Sequence, residues 1–425
     1  MGAFRYVKIA VLGSLSSNRL NSVMLDTQNN RTERLSSFSE KQAIFLDRDG
    51  VINQEAGYIT KPDELKIING VPEGIKKIND VGSLAIVVTN QSVIARGDCT
   101  EKELKNIHSR LERLLGKESA YVDAIYYCPH HPEFGKERKF RELKPGCSCR
   151  KPEPGLLKKA VKDMNISLKD SWLIGDTTTD ILTAKRMGIK NILLRTGHAG
   201  QDHKYNAKPD YIFLGLNEAV DWILKEHEQA KSRAKKYINK VVGKKIIFIG
   251  GLARTGKSTW GQLIKELLVE NNISASLINL DGWLLDEGKC KKEGSVLQRF
   301  DMDAIGNLLK KLDNQKRSLA LDVPILKRSS GNQMEKSIRH NIDPTATVII
   351  EGVPALCYEN RQIKKCFNFY MECEEKTRKD RMMKDYCWKN IVGSEFESLY
   401  NSHKLDEKPI IEISKKNANA IINTS

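Results

Sequence analysis

The stretch AIFLDRDGVIN, residues 43–53, indicates the fold of the first half of this chain. It is a short apolar run that leads into two carboxylates, Asp47 and Asp49. Similar β-branched runs recur up to about residue 225, and amphipathic helical stretches lie between them. Such alternation is typical of parallel strands joined by crossover helices, so it predicts a doubly wound α/β fold. Ligands of such sheets bind beyond the carboxyl ends of the strands, where Asp47 and Asp49 would lie.

The alternation starts afresh at IIFIGG, residues 246–251, after a charged helical stretch. We therefore predict two doubly wound parallel-sheet domains, a first over 41–225 and a second over 244–425, with a linker over 226–243. At 425 residues the chain is long enough for two such cores. Residues 1–40 contain a polar tract rich in Ser, Asn and Arg, and we interpret them as an N-terminal extension without an assigned role.

Composition narrows the class of protein. The 40% of hydrophobic residues suffices for packed cores, while the sequence has no apolar run long enough for a transmembrane helix and no convincing secretory signal. Of the nine cysteines, Cys128, Cys147 and Cys149 form a cluster, which favours metal ligation in a reducing compartment over a disulfide scaffold, so we expect a cytoplasmic protein. The formal net charge of +16 suits nucleic acids, acidic membranes or phosphorylated small molecules and does not choose among them.

Two carboxylates at a strand end can divide the work of phosphoryl transfer. Asp47 can attack phosphorus to form an aspartyl phosphate, and Asp49 can protonate the leaving oxygen and then activate water. Asp176 and Asp180 in LIGDTTTD follow another strand and could complete a Mg²⁺ site, since Mg²⁺ prefers carboxylates and water. A lone DxD is most often a turn or helix cap. Here DRDG, TNQS, CRKP and GDTTTD follow one another, each at a predicted strand end or in the loop beyond it, which favours a catalytic site.

The motifs FLDRDGVIN, VVTNQSVIARG, YYCPHHP, CSCRKPEPGLL and IGDTTTD resemble the haloacid dehalogenase-like phosphatases. Within these, the motifs are similar to the branch that contains histidinol-phosphate phosphatase and D-glycero-D-manno-heptose 1,7-bisphosphate 7-phosphatase. The resemblance implies that Asp47 is the nucleophile and Asp49 the acid/base, and that Asp47, the Asp49 carbonyl and Asp176 hold Mg²⁺. It implies that the substrate is held by Asp47, Asp49, Asn53, Thr89, Asn90, Gln91, Arg150 and the catalytic Lys151. One departure is Thr177, where the family often has a basic residue.

A second metal is predicted beside this site. Cys128-x-His130 and Cys147-x-Cys149 supply three thiolates and an imidazole, a set that suits structural Zn²⁺. The alternative is a group of buried free cysteines, but the polar loop between the two pairs has no core of its own and would gain order from a metal. The resemblance implies the same four ligands, leaves His131 aside, and implies that this loop favours small phosphosugars.

The second half contains GLARTGKS, residues 251–258, which matches G-x-x-x-x-G-K-[ST] between a predicted strand and a predicted helix. Backbone amides of such a loop cradle phosphates, Lys257 would reach the β and γ oxygens as a catalytic group, and Ser258 would ligate Mg²⁺. The chance alternative is a glycine-rich turn. The predicted nucleotide-binding residues of the loop are Gly251, Arg254, Thr255, Gly256, Lys257, Ser258 and Thr259.

Other residues of this half complete a kinase pattern. Asp281 ends a strand and could accept the proton of an acceptor hydroxyl, and Glu351 ends another and could hold the metal. Arg378 and Arg381 lie on one face of a basic helix, which is either a solvated helix or a lid that binds the nucleotide. GGLARTGKST, LDGWL and VIIEGVPAL resemble the P-loop kinases of the uridine kinase and phosphoribulokinase class. Gly282 replaces an acidic residue of that class, which leaves room for a sugar acceptor.

We therefore expect a bifunctional phosphosugar enzyme, a phosphatase joined to an ATP-dependent kinase, with Mg²⁺, structural Zn²⁺ and ATP. Its partners would be small phosphosugars and ATP, and not membranes. The alternative is a polynucleotide kinase/phosphatase, which the basic charge suits, but a clear aromatic and basic track for a strand is missing from the sequence. A third possibility is that one half binds nucleotide or sugar phosphate as a regulatory module without turnover.

Overall fold

The computed structural model describes residues 40–131, 147–285, 295–326, 333–357, 363, 365–388 and 391–425. The predicted N-terminal extension, except for its last residue, and the polar part of the zinc loop lie outside these residues. The chain divides into two compact units, Met1–Leu224 and Lys225–Ser425. Among the described helices, none combines the length and the low charge that a membrane crossing requires.

The first unit contains a six-stranded parallel sheet in the order β3-β2-β1-β4-β5-β6. Its strands are almost entirely buried because helices cover both faces of a doubly wound sheet, which explains their continuous apolar runs. The strands are β1 Ala43–Leu46, β2 Leu84–Asn90, β3 Ala124–Cys128, β4 Trp172–Gly175, β5 Lys190–Leu194 and β6 Tyr211–Phe213. The helices are α1 Val71–Asp80, α2 Val93–Arg96, α3 Glu101–Lys117, α4 Gly155–Met164, α5 Thr178–Met187 and α6 Leu216–Asp221.

The helix starts of this unit follow from local chemistry. Thr100 begins α3 with a capping box, in which its hydroxyl accepts the Glu103 amide and the Glu103 carboxylate accepts the Thr100 amide. Thr177 and Asp180 form the same arrangement at the start of α5. Thr177, the departure from the phosphatase pattern, is therefore well suited to begin the helix that follows β4.

The second unit contains a five-stranded parallel sheet in the order β13-β12-β7-β11-β8 and a separate antiparallel hairpin, β9-β10. The strands are β7 Ile246–Gly250, β8 Ala275–Asn279, β9 Leu319–Leu326, β10 Gln333–Ile342, β11 Thr347–Glu351, β12 Cys366–Glu372 and β13 Ala420–Asn423. The helices are α7 His227–Lys235, α8 Ile238–Val241, α9 Lys257–Glu270, α10 Met302–Asp313, α11 Glu375–Cys387 and α12 Gly393–Ile413. The two parallel sheets confirm the predicted fold class.

Two features of the second unit differ from the prediction. The stretch 226–243, predicted as a linker, carries α7 and α8, and α7 packs against α9. His227 of α7 lies 3.0 Å from Glu266 of α9, so this stretch is part of the packed unit. The hairpin β9-β10 was not predicted because β10, with the sequence QMEKSIRHNI, is rich in charged residues and gains its strand character from pairing with β9.

Candidate functional site

Three neighbouring strands of the first unit bring the predicted catalytic groups to one edge of the sheet. β1, β2 and β4 are parallel and adjacent, and Asp47, Thr89 and Asp176 lie at or just beyond their carboxyl ends. The side chains of Asp47, Asp176 and Asp180 offer ligand atoms that all lie within 4.8 Å of one another. The structure therefore assembles the carboxylates that were predicted for this site.

Lys151 lies between two of these carboxylates. Its Nζ is 3.0 Å from Oδ1 of Asp47 and 2.5 Å from Oδ1 of Asp180, and its side chain is buried. Burial lowers the pKa of Lys151, but Asp180 and Asp47 outweigh it and raise the pKa above its ordinary value, so the amine stays protonated. Burial raises the pKa of Asp47 to about 7 against the opposing charge of Lys151, with smaller contributions from Asp180 and Asp49.

Asp49 is fixed by donors on three sides. Arg48 Nη2 lies 2.7 Å from its Oδ1, Asn53 Nδ2 donates to the same oxygen at 2.9 Å, and Gln91 Nε2 donates to Oδ2 at 2.9 Å. Burial raises the pKa of Asp49, but Arg48 and the two amides more than offset it, so the pKa lies below its ordinary value. In this arrangement Asp49 is an ionised carboxylate, ready to accept a proton.

Sequence reasoning missed Arg48 and His108. Arg48 is 1% exposed, and its Nη1 lies 3.5 Å from Nε2 of the buried His108. Burial lowers the pKa of His108 to about 3, with a smaller effect of Arg48, so the imidazole is neutral and can face the guanidinium. The only available signal was the Arg between the two aspartates, and nothing local marks that side chain as buried.

The remaining predicted substrate residues surround this centre, but several bond to the protein itself. Thr89 is buried and accepts a hydrogen bond from Gln91 at 2.8 Å. The Asn90 side chain is paired with the backbone of Lys151, which it fixes through bonds of 3.1 and 3.0 Å. Arg150 donates to the backbone oxygen of His130 at 2.6 Å. Asn53 is fully buried behind Asp49, so it positions that carboxylate.

Asp176 is the carboxylate best suited to a cation. It is 1% exposed, and within the described residues its Oδ1 is buried without a hydrogen-bond partner, while Oδ2 accepts the His198 amide at 2.7 Å. Burial, followed by the charges of Asp180 and Asp47, raises the pKa of Asp176 to about 9. Such crowding of carboxylates is what a bound divalent cation relieves.

Two glycines make room for Asp176. A Cβ on Gly197 would lie 2.2 Å from Asp176 Oδ2, and one on Gly50 would lie 2.3 Å from it. We expect Gly197→Ala to displace this carboxylate and to raise the Mg²⁺ concentration for half-maximal phosphate release by about tenfold. A Mg²⁺ titration of phosphate release measures this.

Gly82→Ala is the matched control for that substitution. Gly82 has φ +74°, against +55° for Gly197, and nothing lies within 4 Å of the position that a Cβ would occupy on Gly82. Both substitutions carry the backbone strain of a left-handed residue, about 1–2 kcal/mol, but Gly82→Ala should leave the Mg²⁺ requirement unchanged. Equal Mg²⁺ requirements in the two variants would contradict the role given to Asp176.

The predicted zinc ligands also come together. The Sγ atoms of Cys128 and Cys149 are 3.2 Å apart, and His130 Nδ1 lies 3.4 and 3.2 Å from them. Cys147 Sγ lies 3.6 Å from Cys128, and the ligand atoms of all four residues lie within 4.8 Å of one another. Contact with Cys128 is the main reason that the pKa of Cys149 falls to about 6, while the same contact raises the pKa of Cys128 and burial raises that of Cys147, so Cys149 is the thiol of this group that ionises most readily. His131 is not part of this group.

The second unit places the GLARTGKS stretch between β7 and α9. Gly256 has φ +84° and Arg254 has φ +66°, so the loop turns back on itself before α9 begins at Lys257. A Cβ on Gly251 would lie 2.3 Å from the Met371 oxygen, so only glycine fits there. The Thr255 hydroxyl donates to Leu252 O at 2.8 Å. This is the strand, loop and helix arrangement predicted for a phosphate loop.

Polar groups from β8 and β11 meet the start of α9. The Ser258 hydroxyl donates to Glu351 Oε1 at 2.9 Å, and Asn279 Nδ2 donates to the same oxygen at 2.6 Å. Lys257 is buried, and its Nζ donates to Leu252 O at 2.6 Å. Burial lowers the pKa of Lys257, and Glu351 and Asp281 act in the opposite sense. Ser258, Glu351 and Lys257 therefore lie together as predicted, with the Asp281 carboxylate close enough to influence the amine.

Thr259, in the first turn of α9, completes the predicted loop residues. The predicted lid helix is present as α11, but its arginines have different surroundings. Arg378 is 1% exposed and lies with Cζ 5.2 Å from the centre of the Tyr400 ring. Arg381 donates to the Thr424 backbone oxygen at 2.8 Å and lies 3.0 Å from its hydroxyl. The two therefore do not form one solvated basic face, because Arg378 is packed inside the unit.

Comparison with known proteins gives clear relatives for the first unit. Residues 148–219 match the HAD-hydrolase-like family. The chain is 40% identical over 187 residues to D-glycero-beta-D-manno-heptose-1,7-bisphosphate 7-phosphatase of Haemophilus ducreyi, an alignment that covers 43% of this chain and 98% of that protein. The corresponding enzyme of Escherichia coli K12 is 37% identical over 191 residues, which cover 44% of this chain and 97% of the relative.

Among solved structures, the chain is similar to the D,D-heptose 1.7-bisphosphate phosphatase of B. bronchiseptica complexed with magnesium and phosphate. Sequence identity is 29%, the TM-score is 0.39, and the match covers 44% of this chain and 99% of that one. These relatives account for less than half of the chain. For the second unit, the kinase assignment stays a prediction from its sequence motifs.

Proposed function

Because the chain belongs, through its first unit, to the heptose bisphosphate 7-phosphatase family of HAD-like hydrolases, we propose that this unit removes one phosphate from a sugar bisphosphate. The best candidate is the 7-phosphate of D-glycero-D-manno-heptose 1,7-bisphosphate, the compound named for the relatives. The observation that carries the proposal is the convergence of Asp47, Asp176 and Lys151 at one sheet edge, with Asp49 beside them.

The geometry supports a reaction in two displacements. Asp47 attacks phosphorus, the bond from phosphorus to the sugar oxygen breaks, and Asp49 gives its proton to that oxygen. Asp49 then takes a proton from water, which attacks the aspartyl phosphate and frees Asp47. Lys151 offsets the charge of nucleophile and phosphate throughout. Because Arg48 holds Asp49 ionised, Asp49 must take up a proton from solvent as this ion pair loosens before it can protonate the leaving oxygen, and the proton that it later takes from water restores the acid for the next turnover.

The donor set fits Mg²⁺. Asp47, Asp176 and the Asp49 carbonyl would hold the ion, and the buried Oδ1 of Asp176, without a partner among the described residues, is the group that most needs one. When bound, the ion neutralises charge on the phosphoryl oxygens. The residues of the chain then have only to orient the phosphate and move the proton. Asp180, bonded to Lys151 and Thr177, serves to hold Lys151 in place.

We also propose that Cys128, His130, Cys147 and Cys149 bind structural Zn²⁺. Four of the six separations among their ligand atoms are 3.2–3.6 Å and all lie within 4.8 Å, near the values of about 3.5–3.8 Å that a tetrahedral zinc site of three thiolates and one imidazole requires. Cys149 is followed by Arg150 and Lys151, so a metal here would fix the stretch that carries the catalytic lysine.

Cys149→Ser tests the zinc proposal. We expect it to weaken zinc binding at least about 100-fold, since even changes behind the ligands of such sites cost 10–100-fold, and to lower the rate of phosphate release. Metal analysis after dialysis and a phosphate assay measure the two effects. Cys99→Ser, at another buried thiol outside the cluster, is the control and should keep zinc and activity. Equal zinc contents in the two variants would contradict the proposal.

For the second unit we propose an ATP-dependent kinase of a sugar or nucleoside-like acceptor. The GLARTGKS loop before α9 supports binding of the nucleotide phosphates, and Ser258 with Glu351 supports a Mg²⁺ site. Asp281 would accept the proton of the acceptor hydroxyl. The bond formed joins the acceptor oxygen to the γ-phosphorus, and ADP leaves.

One substrate screen with the full-length chain tests both activities. Phosphate release would be compared for heptose bisphosphate, histidinol phosphate, fructose 1,6-bisphosphate and a 3′-phosphorylated oligonucleotide. Transfer from labelled ATP would be compared for sugars, nucleosides and a 5′-hydroxyl oligonucleotide. We expect heptose bisphosphate to give the highest kcat/KM among phosphatase substrates and a small molecule to be the kinase acceptor. Oligonucleotides as best substrates of both reactions would instead establish the nucleic-acid alternative.

A further inference from the structure

A carboxylate from α12 contacts the predicted phosphate loop. Glu407 is 4% exposed, and its Oε2 accepts the backbone amide of Ala253 at 3.3 Å, across 154 residues of sequence. Ala253 lies inside the GLARTGKS stretch, next to Leu252, whose carbonyl accepts Lys257 Nζ. Loop amides and the lysine of such motifs are the groups that bind nucleotide phosphates. Glu407 therefore uses an amide of the predicted phosphate cradle.

His403 and Tyr386 hold the Glu407 side chain in position. His403, one turn earlier on α12, lies with Nδ1 3.0 Å from Oε1 of Glu407. The other ring nitrogen of His403 lies 3.2 Å from the hydroxyl of Tyr386 on α11. Two helices thus hold the carboxylate against the loop, so the contact is built into the packing of the unit.

Glu407 is also negatively charged and close enough to influence Lys257. Burial raises the pKa of Glu407, but His403 and the Ala253 amide outweigh it, and the pKa lies below its ordinary value. Glu407 joins Glu351 and Asp281 as a carboxylate whose charge acts on the buried Lys257. A phosphate that reaches Lys257 must therefore approach a charge of its own sign.

We propose that Glu407 is a gate of the phosphate loop, which the terminal phosphate of a nucleoside triphosphate must displace and which a diphosphate leaves in place. The inference rests on the proposed kinase activity. In P-loop proteins the lysine reaches both the β and the γ phosphates, so the γ-phosphate is the charged group that a triphosphate brings toward Lys257 and Ala253 in addition to what a diphosphate brings. Repulsion between it and Glu407 lowers the affinity for ATP selectively. Glu407 thus acts as a specificity residue for nucleotides.

Glu407→Gln in the full-length chain tests the gate. The amide keeps the size of the side chain and can still accept the Ala253 N–H, but it removes the charge. We expect the Kd for ATP with Mg²⁺ to fall about tenfold, which corresponds to about 1.4 kcal/mol, and the Kd for ADP to change less than twofold. Isothermal titration calorimetry measures both constants. A purely structural role of Glu407 would move the two constants together.

Two further variants separate the effect of the Glu407 charge on ATP binding from a general effect of the substitution. Glu412→Gln removes the same charge from an exposed position on the same helix, and it should change neither constant. Glu407→Asp keeps the charge, so it should not tighten ATP binding, and it covers the case in which the glutamine variant fails to fold. Unchanged ATP affinity in a folded Glu407→Gln protein would overturn the gate. A wild-type protein that binds neither nucleotide would overturn the kinase proposal and the gate with it.

Discussion

Replacing Asp47 with asparagine is expected to lower the rate of phosphate release from heptose bisphosphate by on the order of 10⁴-fold or more, the scale on which removal of an enzymatic nucleophile acts. The amide oxygen cannot form the aspartyl phosphate, while the neighbouring Lys151 and Asp176 still bind the phosphate and the cation. We therefore expect kcat to fall much more than the apparent substrate affinity. A coupled phosphate assay under saturating Mg²⁺ measures both quantities.

The fold should survive this change. The Asp47 side chain is 13% exposed, and its pKa of about 7 lies above its ordinary value, so the carboxylate costs stability that grows as the pH rises from about 4 to about 7. Asparagine removes that cost, and the thermal unfolding midpoint at pH 8 should not fall by more than a few degrees. Asp80→Asn, the same chemical change at an exposed carboxylate, should leave the rate unaltered. A variant at position 47 with wild-type turnover would exclude Asp47 as the nucleophile.

Lys257→Ala should abolish ATP-dependent phosphorylation, with a loss of at least about 10²–10³-fold, the effect of removing one donor to a transition-state charge. The buried Lys257 amine is a cation of the loop that can follow the phosphoryl group, and alanine leaves no charge at that position. Transfer of labelled γ-phosphate to the acceptor found in the screen measures the loss.

The same variant separates the two activities. Phosphate release from heptose bisphosphate by the Lys257→Ala protein should equal that of the wild type, because the phosphatase residues belong to the other compact unit. Lys265→Ala, on the same helix, is the matched control and should keep the kinase activity. Kinase activity that persists without Lys257 would show that the GLARTGKS stretch is a structural turn.

The sheet edge that gathers the proposed catalytic carboxylates of the first unit could be predicted because Asp47 and Asp176 lie directly beyond strands. Parallel topology brings the carboxyl ends of neighbouring strands together, so Asp47 and Asp176 were expected to meet although they are far apart in sequence. The same logic predicted that Ser258 and Glu351 lie together. That Cys128, His130, Cys147 and Cys149 come together was predicted from two short pairs around a polar loop and from the family resemblance, while zinc itself stays a prediction.

The features that could not be predicted from the sequence depend on contacts between residues that are far apart in the chain, or between residues in environments that are unusual for their type. A fully buried arginine is rare, and the burial of Arg48 follows only once Asp49 and His108 are seen around it. Glu407 lies on a helix without a recognisable motif, and its link to Ala253 spans 154 residues. Arg378 was predicted on one basic face with Arg381, either solvated or part of a lid that binds the nucleotide, because periodicity shows which residues share a face but does not show what covers that face.

The crowding of carboxylates at the end of β1 has a consequence for how substrate enters. Three acidic side chains lie within 4.8 Å of one another, and Lys151 is the cation bonded to two of them. A phosphate ester that arrives alone meets carboxyl groups that retain protons, because burial raises the pKa of Asp176 to about 9 and that of Asp47 to about 7. One that arrives after, or together with, a divalent cation meets ionised carboxylates whose charge the cation balances. Binding of the phosphate substrate would therefore require Mg²⁺, and inorganic phosphate should compete poorly with the substrate when Mg²⁺ is scarce.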